Sequence, residues 1–84
     1  MNKEKAVIIL HMHKRKEKVD LEVPLNITAN ELVIALNEAY KLGIDTSNVR
    51  TCYLKAENPI VLLKGNRPLS EFGIRNGTVI NFTE

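Results

Sequence analysis

Ile27-Thr28-Ala29-Asn30-Glu31-Leu32-Val33-Ile34-Ala35-Leu36-Asn37-Glu38-Ala39-Tyr40-Lys41-Leu42-Gly43 carries a helix with its start and its stop both written into the residues. Thr28 and Glu31 have capping-box spacing: the hydroxyl accepts from a first-turn amide while the carboxylate reaches back to the cap amide. Ile27 stands where it can staple onto Leu32 across that cap. Leu32, Val33, Leu36, Ala39 and Tyr40 recur at helical spacing and form one apolar stripe. Gly43, which tolerates a left-handed backbone, is expected to end the helix. A helix with one apolar stripe needs a sheet to lie on.

Strand signals flank it on both sides. Ala6 to Met12 is rich in Val, Ile and Leu and reads as a buried strand. The charged tip Lys14-Arg15-Lys16-Glu17-Lys18 then leads into a second strand, Val19 to Val23. There Val19, Leu21 and Val23 alternate with Asp20 and Glu22, so the apolar side chains face the core and the acids face water. Pro24 lacks an amide donor and stops the strand. After the helix, strands are expected at Arg50 to Leu54 and Ile60 to Leu63, turning around Asn58-Pro59, and at Thr78 to Phe82 after the Asn76-Gly77 turn. The order ββαβββ implies an α+β fold, a mixed five-stranded sheet packed on one main helix.

Residues 1–84 have room for one domain, with an ordered core expected over about 6–83, and the 44% apolar content is enough to fill it. A net charge of +2 is too small to imply nucleic acid or membrane binding. The single cysteine, Cys52, excludes an internal disulfide or a cysteine-rich metal cluster. The apolar run Ala6 to Leu10 is too short for a signal core or a membrane span, which points to the cytoplasm.

The run Arg67-Pro68-Leu69-Ser70-Glu71-Phe72-Gly73-Ile74 resembles the Leu-Ser-Asp-Tyr-Asn-Ile stretch of ubiquitin, and Leu21-Glu22-Val23 stands where ubiquitin has the same triplet. Gly43-Ile44 after the helix matches as well. The resemblance is collinear over nearly the whole chain and implies a ubiquitin-like β-grasp. Within that superfamily, Val19-Asp20-Leu21-Glu22-Val23-Pro24 and Gly73-Ile74-Arg75-Asn76-Gly77 look most like the YukD/EsaB family of bacterial ubiquitin-like proteins. That resemblance implies a small cytoplasmic accessory component of a type VII (ESX-like) secretion system. Its partners would then be the membrane ATPase or other components of that system, and it would reach the membrane only through them. Oligomeric expectations are a monomer or a weak dimer.

The alternative is a ubiquitin-like modifier or sulfur carrier. Both chemistries need a terminal glycine carboxylate that an adenylating enzyme can activate, and here the sequence runs Ile80-Asn81-Phe82-Thr83-Glu84. The four glycines, at 43, 65, 73 and 77, fall at helix or turn signals instead. A noncovalent docking protein is therefore expected, with no enzymatic activity and no cofactor. By position, the isoleucine of ubiquitin's recognition patch is replaced by Cys52, beside Arg50 and Thr51, and its last-strand valine by Thr83, which erases that patch. Cys52 itself reads as a small, inert hydrophobe.

A different surface is suggested by the first strand. Placing Ile8, Leu10 and Met12 inward leaves Val7, Ile9, His11 and His13 on the other face, beside Asp20 and Glu22. Val7, Ile9 and His11 are candidate protein-binding residues, and Ile34, which points away from the helical stripe, is a fourth. His11 and His13 share a face, but a metal site needs a third ligand, and none is near in sequence. The basic tip reads as solvated charge rather than a nucleic-acid or lipid contact.

Overall fold

The computed structural model describes residues 4–83. Glu84, where a modifier would need a glycine carboxylate, lies outside them. Five strands, β1 (Lys5–Met12), β2 (Glu17–Pro24), β3 (Leu54–Glu57), β4 (Val61–Leu63) and β5 (Val79–Phe82), surround one helix, α1 (Ala29–Tyr40). They form a single sheet in the order β2-β1-β5-β3-β4, with β1 and β5 parallel and the other pairs antiparallel. This is the α+β arrangement read from the sequence.

Ile8, Leu10 and Met12 on β1, Ile80 on β5 and Leu63 on β4 are completely or almost completely buried. Ala29, Leu32, Val33 and Leu36 complete the core from the helix. Burial alternates residue by residue along β1 and β5, as a sheet with one covered face requires. The capping box forms as expected: Glu31 N–H donates to Thr28 Oγ1 at 3.1 Å, and Thr28 N–H donates to Glu31 Oε1 at 2.8 Å.

The helix ends earlier than expected. Lys41 is the left-handed cap, with φ 53° and ψ 57°, and its N–H bonds to the Asn37 carbonyl, while Gly43, two residues beyond, is also at positive φ, 79°. Leu42 is thereby drawn into the core. The Asn37 side chain holds the exit, accepting from Ile44 N–H at 2.8 Å and donating to the Ile44 carbonyl at 3.1 Å. Ala39 is exposed, so the buried stripe is carried by Ala29 in its place.

The third strand begins at Leu54, where the sequence pattern placed its end. Residues 45–52 are a turn held by short polar side chains. Asp45 Oδ1 accepts from Ser47 N–H at 3.1 Å, Asn48 Oδ1 accepts from Arg50 N–H at 2.9 Å, and Thr51 Oγ1 donates to the Asp45 carbonyl at 2.7 Å. Such side chains offer the backbone local partners in place of a ladder. Cys52 is consequently a buried core residue ahead of the strand, and Arg50 and Thr51 lie in the turn.

The 67–74 run forms a loop and a 3₁₀ helix, Leu69–Phe72, that ties the helix entry to the sheet. Leu69 N–H donates to the Ile27 carbonyl at 2.8 Å and Ser70 N–H to the Leu25 carbonyl at 3.0 Å. Its left-handed exit, φ 77°, falls on Gly73, where a side chain would be strained. Among the described residues every buried side-chain nitrogen and oxygen has a partner. Thr78 shows how: wholly buried, its hydroxyl accepts from Arg75 N–H at 3.0 Å and donates to the Asn58 carbonyl at 2.8 Å.

Candidate functional site

Because α1 covers one face of the sheet, the other face is open, and strand register fixes what it presents. Val7 lies opposite Glu22, Ile9 opposite Asp20 and His11 opposite Lys18. On the other side of β1, Ile9 pairs with Val79 and His11 with Asn81, while Val79 pairs with Glu57 and Asn81 with Lys55. Three of the four residues singled out in the sequence, Val7, Ile9 and His11, therefore stand together. Val7 is 44% exposed, and Ile9 and His11 are half-buried. Ile34, 38% exposed, is on the outer side of the helix, separated from them by the sheet.

The backbone under this patch is fixed. Val7 N–H donates to Asn76 Oδ1 at 2.7 Å, and its carbonyl accepts from Gly77 N–H at 3.0 Å. Ile9 N–H donates to the Thr78 carbonyl at 2.9 Å. The Asn76-Gly77 turn thus docks on β1 and prolongs its pairing with the last strand.

Polar side chains span the centre of the face. Asn81 Nδ2 donates to Glu57 Oε1 at 2.8 Å, which leaves Asn81 Oδ1 facing His13 Nε2 at 2.6 Å. An amide oxygen only accepts, so His13 carries a proton on Nε2. The His11 and His13 rings stack with centroids 3.6 Å apart and planes inclined by 25°. Partial burial, and then the charges of His13 and Lys18, hold His11 below the usual imidazole value, while Glu57 pulls the other way. Among the described residues no third histidine, cysteine or carboxylate joins the two rings to make a metal cluster.

Two apolar features of this side were not legible in the sequence. Val79, half-buried, extends the Val7 and Ile9 pair, a neighbour that only the parallel register supplies. At the opposite edge, Ile60 is 89% exposed and, with Leu62, Ala56, Lys55, Asn81 and Thr83, lines a shallow hollow of about 610 Å³. The open-face positions of β3 are Lys55 and Glu57, whereas the sequence placed Cys52 there beside Arg50 and Thr51, because the strand starts later than its pattern suggested.

Among the described residues no helix is long and apolar enough to cross a membrane. The chain superposes on the C-terminal ubiquitin-like domain of mouse tubulin-specific chaperone e with a TM-score of 0.71 at 13% identity, covering 100% of this chain and 92% of that one. It also matches a de novo design based on ubiquitin, with a TM-score of 0.59 at 17% identity, covering 92% of this chain and 84% of the design. These likenesses show the ubiquitin-like fold. No curated protein matches the chain in sequence. The family model for the WXG100 protein secretion system (Wss) protein YukD matches residues 7–81, which takes in β2, β3, β4 and the helix whole and most of β1 and β5. The chain belongs to the YukD family of the WXG100, or type VII, secretion system.

Proposed function

We propose that this protein is a non-conjugated ubiquitin-like accessory component of a type VII secretion system that acts in the cytoplasm by docking noncovalently on the system's machinery, its membrane ATPase or another membrane component. The observation that carries the reading is the open face of the sheet, where Val7, Ile9 and Val79 form an apolar strip on a backbone held from both sides. An apolar centre with charged neighbours, here Glu22, Asp20 and Lys18, is the usual composition of a protein contact. His11 lies at the end of the strip and contributes to the same contact, whereas Ile34 would serve a separate one on the helix. The docking module is not an enzyme and needs no cofactor or nucleic acid.

The test is a tagged purification from the native cell, run in native buffer and again in denaturant, with the wild-type chain and the Val7→Asp/Ile9→Asp double variant. Secretion-system components retained by the wild type only in native buffer, and lost by a variant whose amide spectrum remains folded, support docking through this face. Retention unchanged in the double variant removes the face. Heavier adducts that survive denaturant identify a covalent modifier or carrier and overturn the reading.

A further inference from the structure

β2 is an edge strand of eight residues, paired with β1 alone among the described strands. The phase of its backbone follows from the hydrogen bonds. Leu25 N–H donates to the Glu4 carbonyl at 2.9 Å, one step beyond the Lys5 and Pro24 pair. In an antiparallel ladder bonded and non-bonded pairs alternate, so Val23, Leu21 and Val19 turn their amides and carbonyls toward β1. Lys18, Asp20, Glu22 and Pro24 turn theirs outward. The other side of β1 agrees: Val7, Ile9 and His13, in the complementary phase, direct their amides to the β5 side, Ile9 to Thr78 and His13 to Phe82. Pro24, which has no amide, occupies an outward position where none is needed for the sheet.

The outer edge of β2 therefore offers three amides and four carbonyls to an incoming strand. β4, at the opposite edge, is only three residues long. The side chains beside the outer edge of β2 are sorted by face. Lys18, Asp20 and Glu22 lie on the open side, Glu22 with Lys5 Nζ at 3.9 Å, and Val19 and Leu21, half-buried, lie on the helix side against the core. A second copy of the chain answers these charges only in part. The antiparallel register that opposes Val19 to Leu21 sets Lys18 against Glu22 but Asp20 against Asp20, and the register that opposes Val19 to Val23 sets Asp20 against Glu22. Like charges directly opposed destabilise a strand pair.

We infer that the outer edge of β2 receives an extended segment of another protein, one that alternates lysine or arginine with aliphatic residues, by strand addition. Its basic side chains pair with Asp20 and Glu22 on the open face, and its aliphatic side chains cover Val19 and Leu21 on the helix side. This deepens the docking reading and rests on it: the strand addition supplies the contact, beside the Val7 and Ile9 strip, with main-chain direction and charge selectivity.

The probe is a blocked nonapeptide alternating lysine and valine, set against its glutamate–valine counterpart, each titrated into the ¹⁵N-labelled full chain. The lysine peptide is expected to shift the amides of residues 17–25 and to slow hydrogen exchange at Lys18, Asp20 and Glu22, while Val19, Leu21 and Val23, already bonded, change little. The glutamate peptide binds at least about tenfold more weakly, and Asp20→Lys/Glu22→Lys reverses that order. Asp20→Pro removes one outward donor and no inward one, and is expected to lower affinity by about tenfold while the β1 to β2 exchange protection persists. Equal binding of the two peptides, shifts centred on Val7 or Ile60, or β2 shifts that grow with protein concentration in the absence of peptide would overturn the inference. Because the titration uses the isolated chain, its failure leaves the cellular docking test standing, and failure of that test leaves the titration result unaffected.

Discussion

The Arg15 guanidinium, at the tip of the first hairpin, donates to the carbonyl of Tyr40 at 2.6 Å and, through its second amino group, to that of Lys41 at 2.7 Å. These are carbonyls at the end of α1, whose last turn holds no basic residue of its own. A helix C-terminus carries unpaired acceptors and partial negative charge, and Arg15 meets both from another element. One member of a basic run that reads as solvated charge is thus a tether between hairpin and helix.

Arg15→Ala is expected to lower stability by about 1 kcal/mol, the low end for charge-assisted bonds because the group is exposed. For a chain of this size that is roughly 4–8 °C in Tm. Arg15→Lys recovers only part of the loss, since an ammonium cannot serve the two carbonyls as a fork. Thermal unfolding of both variants checks this, and equal stability of all three chains would refute the tether.

Thr28→Ala removes the acceptor for Glu31 N–H and leaves the reciprocal bond unsupported. The expected cost is about 1 kcal/mol by chemical denaturation. Serine at the same position restores most of it.

Thr78→Val keeps the shape of a wholly buried side chain but deletes a hydroxyl that satisfies two main-chain groups, Arg75 N–H and the Asn58 carbonyl. With those left unpaired, a loss of about 1–3 kcal/mol is expected, larger than a methyl-for-hydroxyl swap at the surface. The urea midpoint of the variant reads it directly.

Ile8 and Ile9 are chemically identical and adjacent, yet one is fully buried and the other half-buried on the open face. Ile8→Ala should cost about 2–5 kcal/mol and Ile9→Ala about 1 kcal/mol or less. A larger loss for Ile9→Ala would mean that the strand faces the other way, and equal losses would mean that neither face is preferred.

His11 titrates below its unfolded value because partial burial and then the charges of His13 and Lys18 disfavour its protonated form, against the pull of Glu57. The unfolded chain therefore binds this proton more readily than the folded one. Its contribution to stability is present above the unfolded imidazole value, about 6.5, and is lost as pH falls from there through the lower folded value. Urea midpoints measured from pH 7.5 down to 5 should decline for the wild type, and the decline should be smaller in His11→Gln. An identical slope in the two would assign the effect to other groups.

The third strand and the helix end show where legibility stopped. Thr28 and Glu31 announced the helix start because capping is a local chemistry of residues three apart, and Ile8, Leu10 and Met12 declared their face because a strand alternates with period two. The 67–74 run and the Leu21-Glu22-Val23 triplet marked the ubiquitin-like fold, which the solved structures share, and the 19–24 and 73–77 stretches marked the family, which the family match bears out. Between residues 45 and 54 the pattern failed. There Asp45, Asn48 and Thr51 compete for the backbone with a ladder whose partner strands are distant in sequence, and only the folded sheet decides the contest.

The sequence by itself determined the order of elements, the start of the helix, the inward face of the first two strands and the grouping of Val7, Ile9 and His11, all consequences of short-range periodicity and capping. The tertiary structure decided that the helix cap falls on Lys41, two residues ahead of Gly43, that Arg15 closes the helix, that Val79 joins the open-face strip and that Cys52 is core. Each of these depends on a partner twenty or more residues away, or on Leu42 being drawn inward, and no local pattern encodes which distant group will arrive.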